Sequence, residues 1–352
     1  MKFRQSEGND QFEDLYLLVH HFTTGDQVKS LLRKHKTDLP KEAQADVRLS
    51  AETTKKLCQE NLRKAVDANH IPISEVYDLL RDSEESGAQH IFLYVPKNNA
   101  ALKTLSEPDR IAEQLLGKKW ETHVPQTALV PNDFAWSDFR RVGKSGWIAK
   151  SYFHSVVEEK TDTIQEQDVR WEKFEKFNRR SICMAVWSAD LSLLQIRIGN
   201  ELDVPVVLST FLDKLKKKGL DFVAITKPSD LSSARAKLLA EAETNTENYD
   251  YGAFRSIDRE GYRFEGSPVA QDPEEPTQAT QSTKKLIRQI AQNPDMDKYS
   301  LVVHWKASPD ALKSNLRTLV GTKNYPNEVV INARTTPQAI HYVLEKLITF
   351  SR

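Results

Sequence analysis

The spacing of apolar residues changes along the chain from a helical period to a strand period, and this change limits the fold to a mixed class. Near the N-terminus, apolar side chains recur every three or four residues, as at Leu15, Tyr16, Val19 and Phe22, which is typical of an amphipathic helix. From Trp147 onward, successive residues alternate in the manner of a long strand. Helices followed by strands predict an α+β protein.

The first 90 residues are predicted to form a helical domain. After a helix up to Phe22 and a second one from Thr24, a third begins at Ser50, a favourable N-cap residue, and a fourth at Ser74. Four short amphipathic helices bury their apolar faces only against one another, so we expect a small bundle. The next apolar run, Ile91–Val95, fits a strand and a buried helix equally well.

Residues 91–243 are predicted to form a second domain, a mixed and largely antiparallel sheet with helices. The expected elements, in chain order, are strands over Trp147–Val157, Arg180–Trp187 and Leu191–Ile198, a helix from Asp203 to Gly219, a short strand over Phe222–Thr226 and a helix from Asp230 to Glu243.

The last third of the chain divides into a linker and a compact unit. Residues 244–283 are predicted to be a flexible acidic linker or surface loop, because Gly266–Thr283 is rich in Pro, Gln, Ser, Thr and Glu. Residues 284–352 are predicted to form a C-terminal β-α-β-α unit that can pack on the middle domain. Its elements are a strand over Tyr299–Trp305, a helix capped by Ser308 with Pro309 first, a strand over Val329–Ile331 and a helix capped by Thr336.

The composition excludes several classes of protein. Fifty Lys and Arg residues balance fifty Asp and Glu residues, so the formal net charge is zero, which excludes a uniformly basic surface. No apolar run reaches the roughly 18 residues of a membrane span, and the first residues lack the apolar segment of a secretory signal. We therefore predict no membrane partner and a cytoplasmic or nuclear location. Cys58 and Cys183 lie among apolar residues and are predicted to be buried thiols.

The motifs name no reaction. The chain has neither a glycine-rich phosphate loop nor the Cys and His spacing of a zinc site, so we predict no cofactor and no metal. A metal-dependent nuclease needs carboxylates and a lysine around a strand. Asp221 and Lys227 approach this pattern, and Asp203 lies before a helix, yet loop and capping roles explain both acids. The pattern favours a non-enzymatic protein and leaves open a nuclease or hydrolase whose carboxylates converge only in the fold.

Local basic clusters are the sequence feature that supports a specific kind of binding. Some are interleaved with aromatic residues, a combination that suits nucleic acid because cations neutralise phosphates and rings stack on bases. Solvated loops, an amphipathic helix over residues 170–180 and helix-dipole complementarity at Lys216–Lys218 are alternative explanations. The predicted nucleic-acid-binding residues are Lys118, Lys119, Arg140, Arg141, Lys144, Lys150, Arg179, Arg180, Lys216, Lys217 and Lys218.

The order of elements resembles the centromere protein N family of the inner kinetochore. The resemblance lies in the hydrophobic patterning of Ser50–Ala68, Ser74–Arg81, Gln89–Val95, Ile182–Trp187 and Leu301–Leu319. It implies a pyrin-like helical domain leading into a mixed sheet domain, with nucleosomal DNA held along a basic groove between them. It transfers no individual contact residue to this chain.

Three hypotheses follow from the sequence. The first is a non-enzymatic subunit that binds DNA through sequence-independent phosphate contacts and works with a protein partner. The second is the metal-dependent nuclease or hydrolase. The third is a scaffold subunit whose basic surface meets an acidic protein.

Overall fold

The structure is a computed structural model that describes residues 11–35, 54–117, 134–166, 169–199, 203–241, 247–257, 263–266, 285–287, 289, 299–308, 312, 314–322 and 324–352. Helices precede a large, largely antiparallel sheet, which confirms the predicted α+β class.

The chain divides into two compact units. The first, here called the helical unit, comprises Met1–Gly87, Gln126–Ala135 and Tyr152–Ser181. The second, here called the sheet unit, comprises Ala88–Pro125, Trp136–Ser151 and Ile182–Arg352. This division differs from the boundaries expected from the sequence, because part of a long β-hairpin belongs with the N-terminal helices.

The described elements have the following bounds. The helices are α1 (Gln11–Phe22), α2 (Gly25–Lys34), α3 (Lys55–Asp67), α4 (Ile73–Glu85), α5 (Asn99–Leu105), α6 (Pro108–Leu116), α7 (Val204–Lys217), α8 (Phe222–Ile225), α9 (Ser232–Glu241) and α10 (Pro337–Ser351). The strands are β1 (Gln89–Pro96), β2 (Ala135–Val142), β3 (Gly146–Glu166), β4 (Val169–Ser188), β5 (Leu193–Gly199), β6 (Thr226–Pro228), β7 (Tyr249–Ile257), β8 (Arg263–Gly266), β9 (Tyr299–Trp305), β10 (Leu316–Val320) and β11 (Glu328–Ile331).

Helices α1 to α4 share one apolar core, as their amphipathic patterns predict. Leu18, Val28, Leu62 and Val76, one from each helix, are all buried in it. Helix α2 begins with a capping box at Thr24, whose hydroxyl accepts a hydrogen bond from the backbone N–H of residue 27. The third helix begins at Lys55, whereas the predicted start at Ser50 lies outside the described residues.

Strand β1 holds the middle of the sheet, which resolves the ambiguous run Ile91–Val95 as a strand. The strand order is β2-β3-β4-β5-β1-β11-β10-β9-β7-β8, with β6 paired to β1. Over Gln89–Tyr94, β1 pairs antiparallel with β5, and its last residues, Tyr94–Pro96, pair with β6. Helices α9 and α10 pack on the sheet through a core that includes Ile91 and Leu344.

Two helix or strand assignments in the C-terminal half are wrong. Within the described residues after Ser308 the predicted helix is not found, because Leu316–Val320 forms β10 between β9 and β11 with alternating burial. From Tyr299 onward, the described elements are therefore three strands followed by α10, not β-α-β-α. Residues Phe222–Ile225 form the short helix α8 instead of a strand, because Asp221 caps its first turn.

Two further predictions need correction. The stretch expected as a helix over residues 170–180 is part of β4, so its aromatic residues do not lie on one helical face. The linker predicted over 244–283 contains strands β7 and β8, which pair with each other, and β7 also pairs with β9. Apart from the turn at residues 247–248, the rest of that segment, including Gly266–Thr283 beyond its first residue, lies outside the described residues.

Candidate functional site

The structure places the predicted binding residues in very different surroundings. Lys118, Lys119 and the side chain of Arg179 lie outside the described residues. Lys150 and Arg180 are buried, with 3% and 2% of their surface exposed. These two predictions are wrong, because a side chain inside the protein cannot reach a phosphate group. Both residues point inward from strands, and Arg180 forms an ion pair with the equally buried Glu84.

Two more of the predicted cations are held by carboxylates. Arg140 donates a hydrogen bond to Asp138 at 2.5 Å, and Arg141 pairs with Asp109 at the start of α6. Each pair is neutral overall, so these arginines add little attraction for a polyanion.

Lys216, Lys217 and Lys218 lie at the C-terminal end of α7, as predicted from the sequence. All three are exposed. The Nζ atom of Lys216 lies 3.2 Å from the carboxylate of Asp221, whereas Lys217 and Lys218 have no ion-pair partner among the described residues. The sequence from Val204 to Pro228 contains five lysines and two aspartates, so this region stays positively charged.

Asp221 organises the cations around it. Its carboxylate accepts a hydrogen bond from the backbone N–H of Ala224 at 3.1 Å and so caps α8. This bond, followed by the hydrogen bond from Lys216 and the charges of Lys216 and Lys97, holds the pKa of Asp221 below its usual value. Asp221 is therefore a carboxylate at neutral pH and a fixed counter-ion for two lysines.

Lys97 and Lys227 join this cluster, although sequence reasoning did not single them out for binding. Lys97 follows β1, and its Nζ atom donates hydrogen bonds to the carbonyls of Val223 at 3.1 Å and Ala224 at 2.8 Å. Lys227 lies on β6, directly opposite Val95 of β1. Both lysines are exposed, and the pairing of β1 with β6 brings them close to each other.

Lys144 lies at the same end of the sheet. It belongs to the turn between β2 and β3, and a Cβ atom on Gly146 would lie 3.1 Å from the carbonyl of Trp187. Trp187 pairs with Leu194, which in turn pairs with Tyr94 near the end of β1. At about 4.8 Å per strand, three strand spacings put this turn roughly 14 Å from β1.

We call this group the cationic end of the sheet unit. Its members share exposure to solvent and a position near the ends of β1, β3 and α7. They are Lys97, Lys144, Lys216, Lys217, Lys218 and Lys227.

Phe139 and Trp147, two of the aromatic residues interleaved with the predicted cations, pack in the core instead of facing solvent. The ring of Trp147 stacks on Phe139 and Phe222, and its Nε1–H donates to the carbonyl of Leu105 at 2.7 Å. All three rings are at most 4% exposed. These three rings are therefore not available for stacking on bases.

The described residues give no support to a nuclease site. No group of three or more His, Cys, Asp or Glu side chains that could hold a metal ion occurs among them. Asp203 caps α7 and Asp221 caps α8, so both acids have structural roles. Within the described part of the chain, no helix has the length and apolar character needed to cross a membrane.

Comparison with known proteins adds no family assignment. No protein-family model matches the chain, and a search of curated proteins gives no significant match.

Proposed function

We propose that the protein binds DNA through sequence-independent phosphate contacts made by the cationic end. The observation that carries this proposal is the gathering of six exposed lysines, distant in sequence, at one end of the sheet unit. Lysine ammonium groups attract phosphates and release condensed counterions when they bind, which gives affinity without reading the base sequence.

The local charge supports this proposal despite the zero net charge of the chain. Around the end of α7, the cations outnumber the acids, and Asp221 neutralises no more than one of them. Lys144, Lys217, Lys218 and Lys227 have no ion-pair partner within the described ranges. A locally positive surface on a neutral protein can direct one face toward a polyanion.

The proposed binding is non-enzymatic and works together with a protein partner. The resemblance to the centromere protein N family remains a prediction that points toward the same ligand. The same proposal includes a cytoplasmic or nuclear location for the protein.

The decisive variant is Lys217→Ala with Lys218→Ala, measured by fluorescence anisotropy on duplexes of unrelated sequence. Because each phosphate contact contributes about −0.9 to the slope of log K against log salt, losing two contacts should reduce that slope by roughly 2. All sequences should be affected alike. The matched control is Lys237→Ala with Lys346→Ala, which removes the same charge from α9 and α10. Equal losses in both double variants would show that only net charge matters, and no loss in either would reject the site.

The Asp221→Asn variant tests the same site with a change that should strengthen DNA binding instead of weakening it. Asparagine keeps the cap on α8, because it is as good an N-cap residue as aspartate. The change frees Lys216 from its counter-ion and removes a charge that repels phosphates. We expect tighter binding and a slope steeper by about one contact. Weaker binding of this variant would contradict the assignment of Lys216 to the site.

A further inference from the structure

Strand β4 has an open edge in its first half. Its neighbours in the sheet are β3 on one side and β5 on the other. Pairing with β5 covers only Cys183–Ser188. Over residues 171–176, where the side chains are exposed or half-buried, none of the described strands pairs with the other, outer edge of β4. Such an edge presents backbone N–H and C=O groups to another strand.

The side chains along this edge are unusually apolar for exposed positions. Trp171 and Phe174 are 61% and 56% exposed. Between and beside them, Glu172, Lys173 and Lys176 are also exposed. The Nζ atom of Lys173 lies 2.8 Å from the carboxylate of Glu175, and this pair raises the pKa of Lys173. Large apolar groups flanked by charges are typical of an interaction surface.

The sequence of this edge is complementary to itself when two copies run antiparallel. With Phe174 opposite Phe174 of a second copy, Lys173 faces Glu175 and Glu172 faces Lys176. Trp171 then faces residue 177, a phenylalanine. Residues opposite each other in this register lie on the same face of the sheet, because both are the same number of residues from the centre. Opposite charges directly across a strand pair are stabilising.

Neighbouring registers lack this complementarity. If the second strand slips by one residue, so that the symmetry centre moves by half a residue, Lys173 lies opposite Lys176 or Glu172 lies opposite Glu175, depending on the direction. If the second strand slips by two residues, so that the centre moves by one residue, Glu175 or Lys173 lies opposite the same residue of the second copy. Like charges directly across a strand pair are destabilising, so one register is selected.

We infer that the outer edge of β4 is a homodimer interface, in which two copies of the chain pair antiparallel around Phe174. The arrangement is a two-fold, self-complementary contact, the commonest symmetry of homo-oligomers. Backbone hydrogen bonds extend the ribbon across the interface, and the rings of both copies bury their exposed surface. A single strand pair buries less than the roughly 1,200 Å² of a standard interface, so we expect dissociation constants in the micromolar range, about 1–100 μM.

Charge exchange on the full chain tests this inference by sedimentation velocity. Lys173→Glu and Glu175→Lys each place like charges across the interface, so each variant alone should associate at least about tenfold more weakly. An equimolar mixture of the two restores opposite charges and should form heterodimers. The combined variant, with both exchanges in one chain, should dimerise like the wild type. A wild-type chain that stays monomeric up to about 100 μM, or a mixture that associates no better than its components, would overturn the inference.

Disulfide trapping tests the register independently. Phe174→Cys places two thiols across the two-fold axis, where Cα atoms of opposite residues are about 4.5–5.5 Å apart and within reach of a disulfide. The matched control is Trp171→Cys, whose two copies would lie six residues, or about 20 Å, apart. Both native cysteines are buried and do not compete. Fast cross-linking of Phe174→Cys alone supports the register, and equal cross-linking of both variants rejects it.

The dimer and the DNA proposal can fail separately. Residues 171–177, which carry the proposed pairing, belong to the helical unit, whereas all residues of the cationic end belong to the sheet unit. A monomeric variant at position 173 or 175 should therefore keep its salt-dependent binding to short duplexes.

Discussion

The buried ion pair between Glu84 and Arg180 makes the N-terminal helices depend on the long β-hairpin for their stability. Both side chains are 1% exposed. The second carboxylate oxygen of Glu84 accepts a hydrogen bond from the Tyr152 hydroxyl at 2.8 Å. The Arg180 guanidinium lies 4.0 Å from the centre of the Tyr152 ring and 5.3 Å from that of Phe22. These contacts join α1, α4, β3 and β4 within the helical unit.

Replacing Arg180 with Met leaves the Glu84 carboxylate buried without its cation. Removing one partner of a buried pair costs about 3–5 kcal/mol in the free energy of unfolding. At roughly 4 °C per kcal/mol, the melting temperature of the helical unit should fall by about 12–20 °C. Glu84→Met should cost a similar amount, because it leaves the guanidinium unpaired.

The double variant, with Met at both positions, distinguishes a coupled pair from two independent residues. Well-packed apolar replacements of a buried pair are often neutral, so the double variant should recover most of the lost stability. The measurement is urea unfolding followed by far-UV circular dichroism for all four proteins. Single variants that each cost less than about 1 kcal/mol, with additive effects in the double variant, would refute this reasoning.

Three shorter predictions concern other parts of the fold. Gly321→Ala should destabilise the sheet unit by more than about 1 kcal/mol in thermal unfolding, because the residue has a φ of +72° and its Cβ would lie 2.1 Å from Nη1 of Arg235. Both native cysteines are buried, and burial also raises the pKa of the Cys58 thiol, so neither should react with a thiol reagent until the protein unfolds, and fast native labelling would contradict the packing. Hydrogen bonds from Lys34 and the adjacent histidine lower the pKa of Glu75 below its usual 4.5. The stabilisation that Glu75 gives to the folded protein is therefore fully present above pH 4.5, and it is lost as the pH falls through the lower pKa of the folded state. Glu75→Gln should therefore cost about 0.2–1 kcal/mol at neutral pH and nothing under strongly acidic conditions.

The elements with strong local patterns could be predicted from the sequence. The apolar stripes of α1 and α4, the alternation of β3 and the cap of α10 at Thr336 are all local properties. The helix predicted after Ser308 failed because Leu312, Leu316 and Leu319 also have helical spacing. Pairing of Leu316–Val320 with β9 and β11 overrides this pattern.

The candidate site could be predicted only in part, for a similar reason. The run Lys216–Lys218 is visible as a local cluster, whereas Lys97 and Lys227 are isolated in the sequence and meet through the pairing of β1 with β6. Arg180 lies in a basic stretch, but its partner Glu84 is 96 residues away. No local pattern reveals that such an arginine is buried.

The most direct test of the proposed function is the salt dependence of DNA binding by the wild-type protein. Four lysines of the cationic end, Lys144, Lys217, Lys218 and Lys227, are exposed and have no ion-pair partner within the described ranges. Four phosphate contacts predict a slope of log K against log salt of about −3.6, with the same value for duplexes of unrelated sequence. Binding titrations between about 50 and 200 mM salt measure it. A slope near this value supports the account, whereas a flat slope, or no binding at the lowest salt, contradicts it.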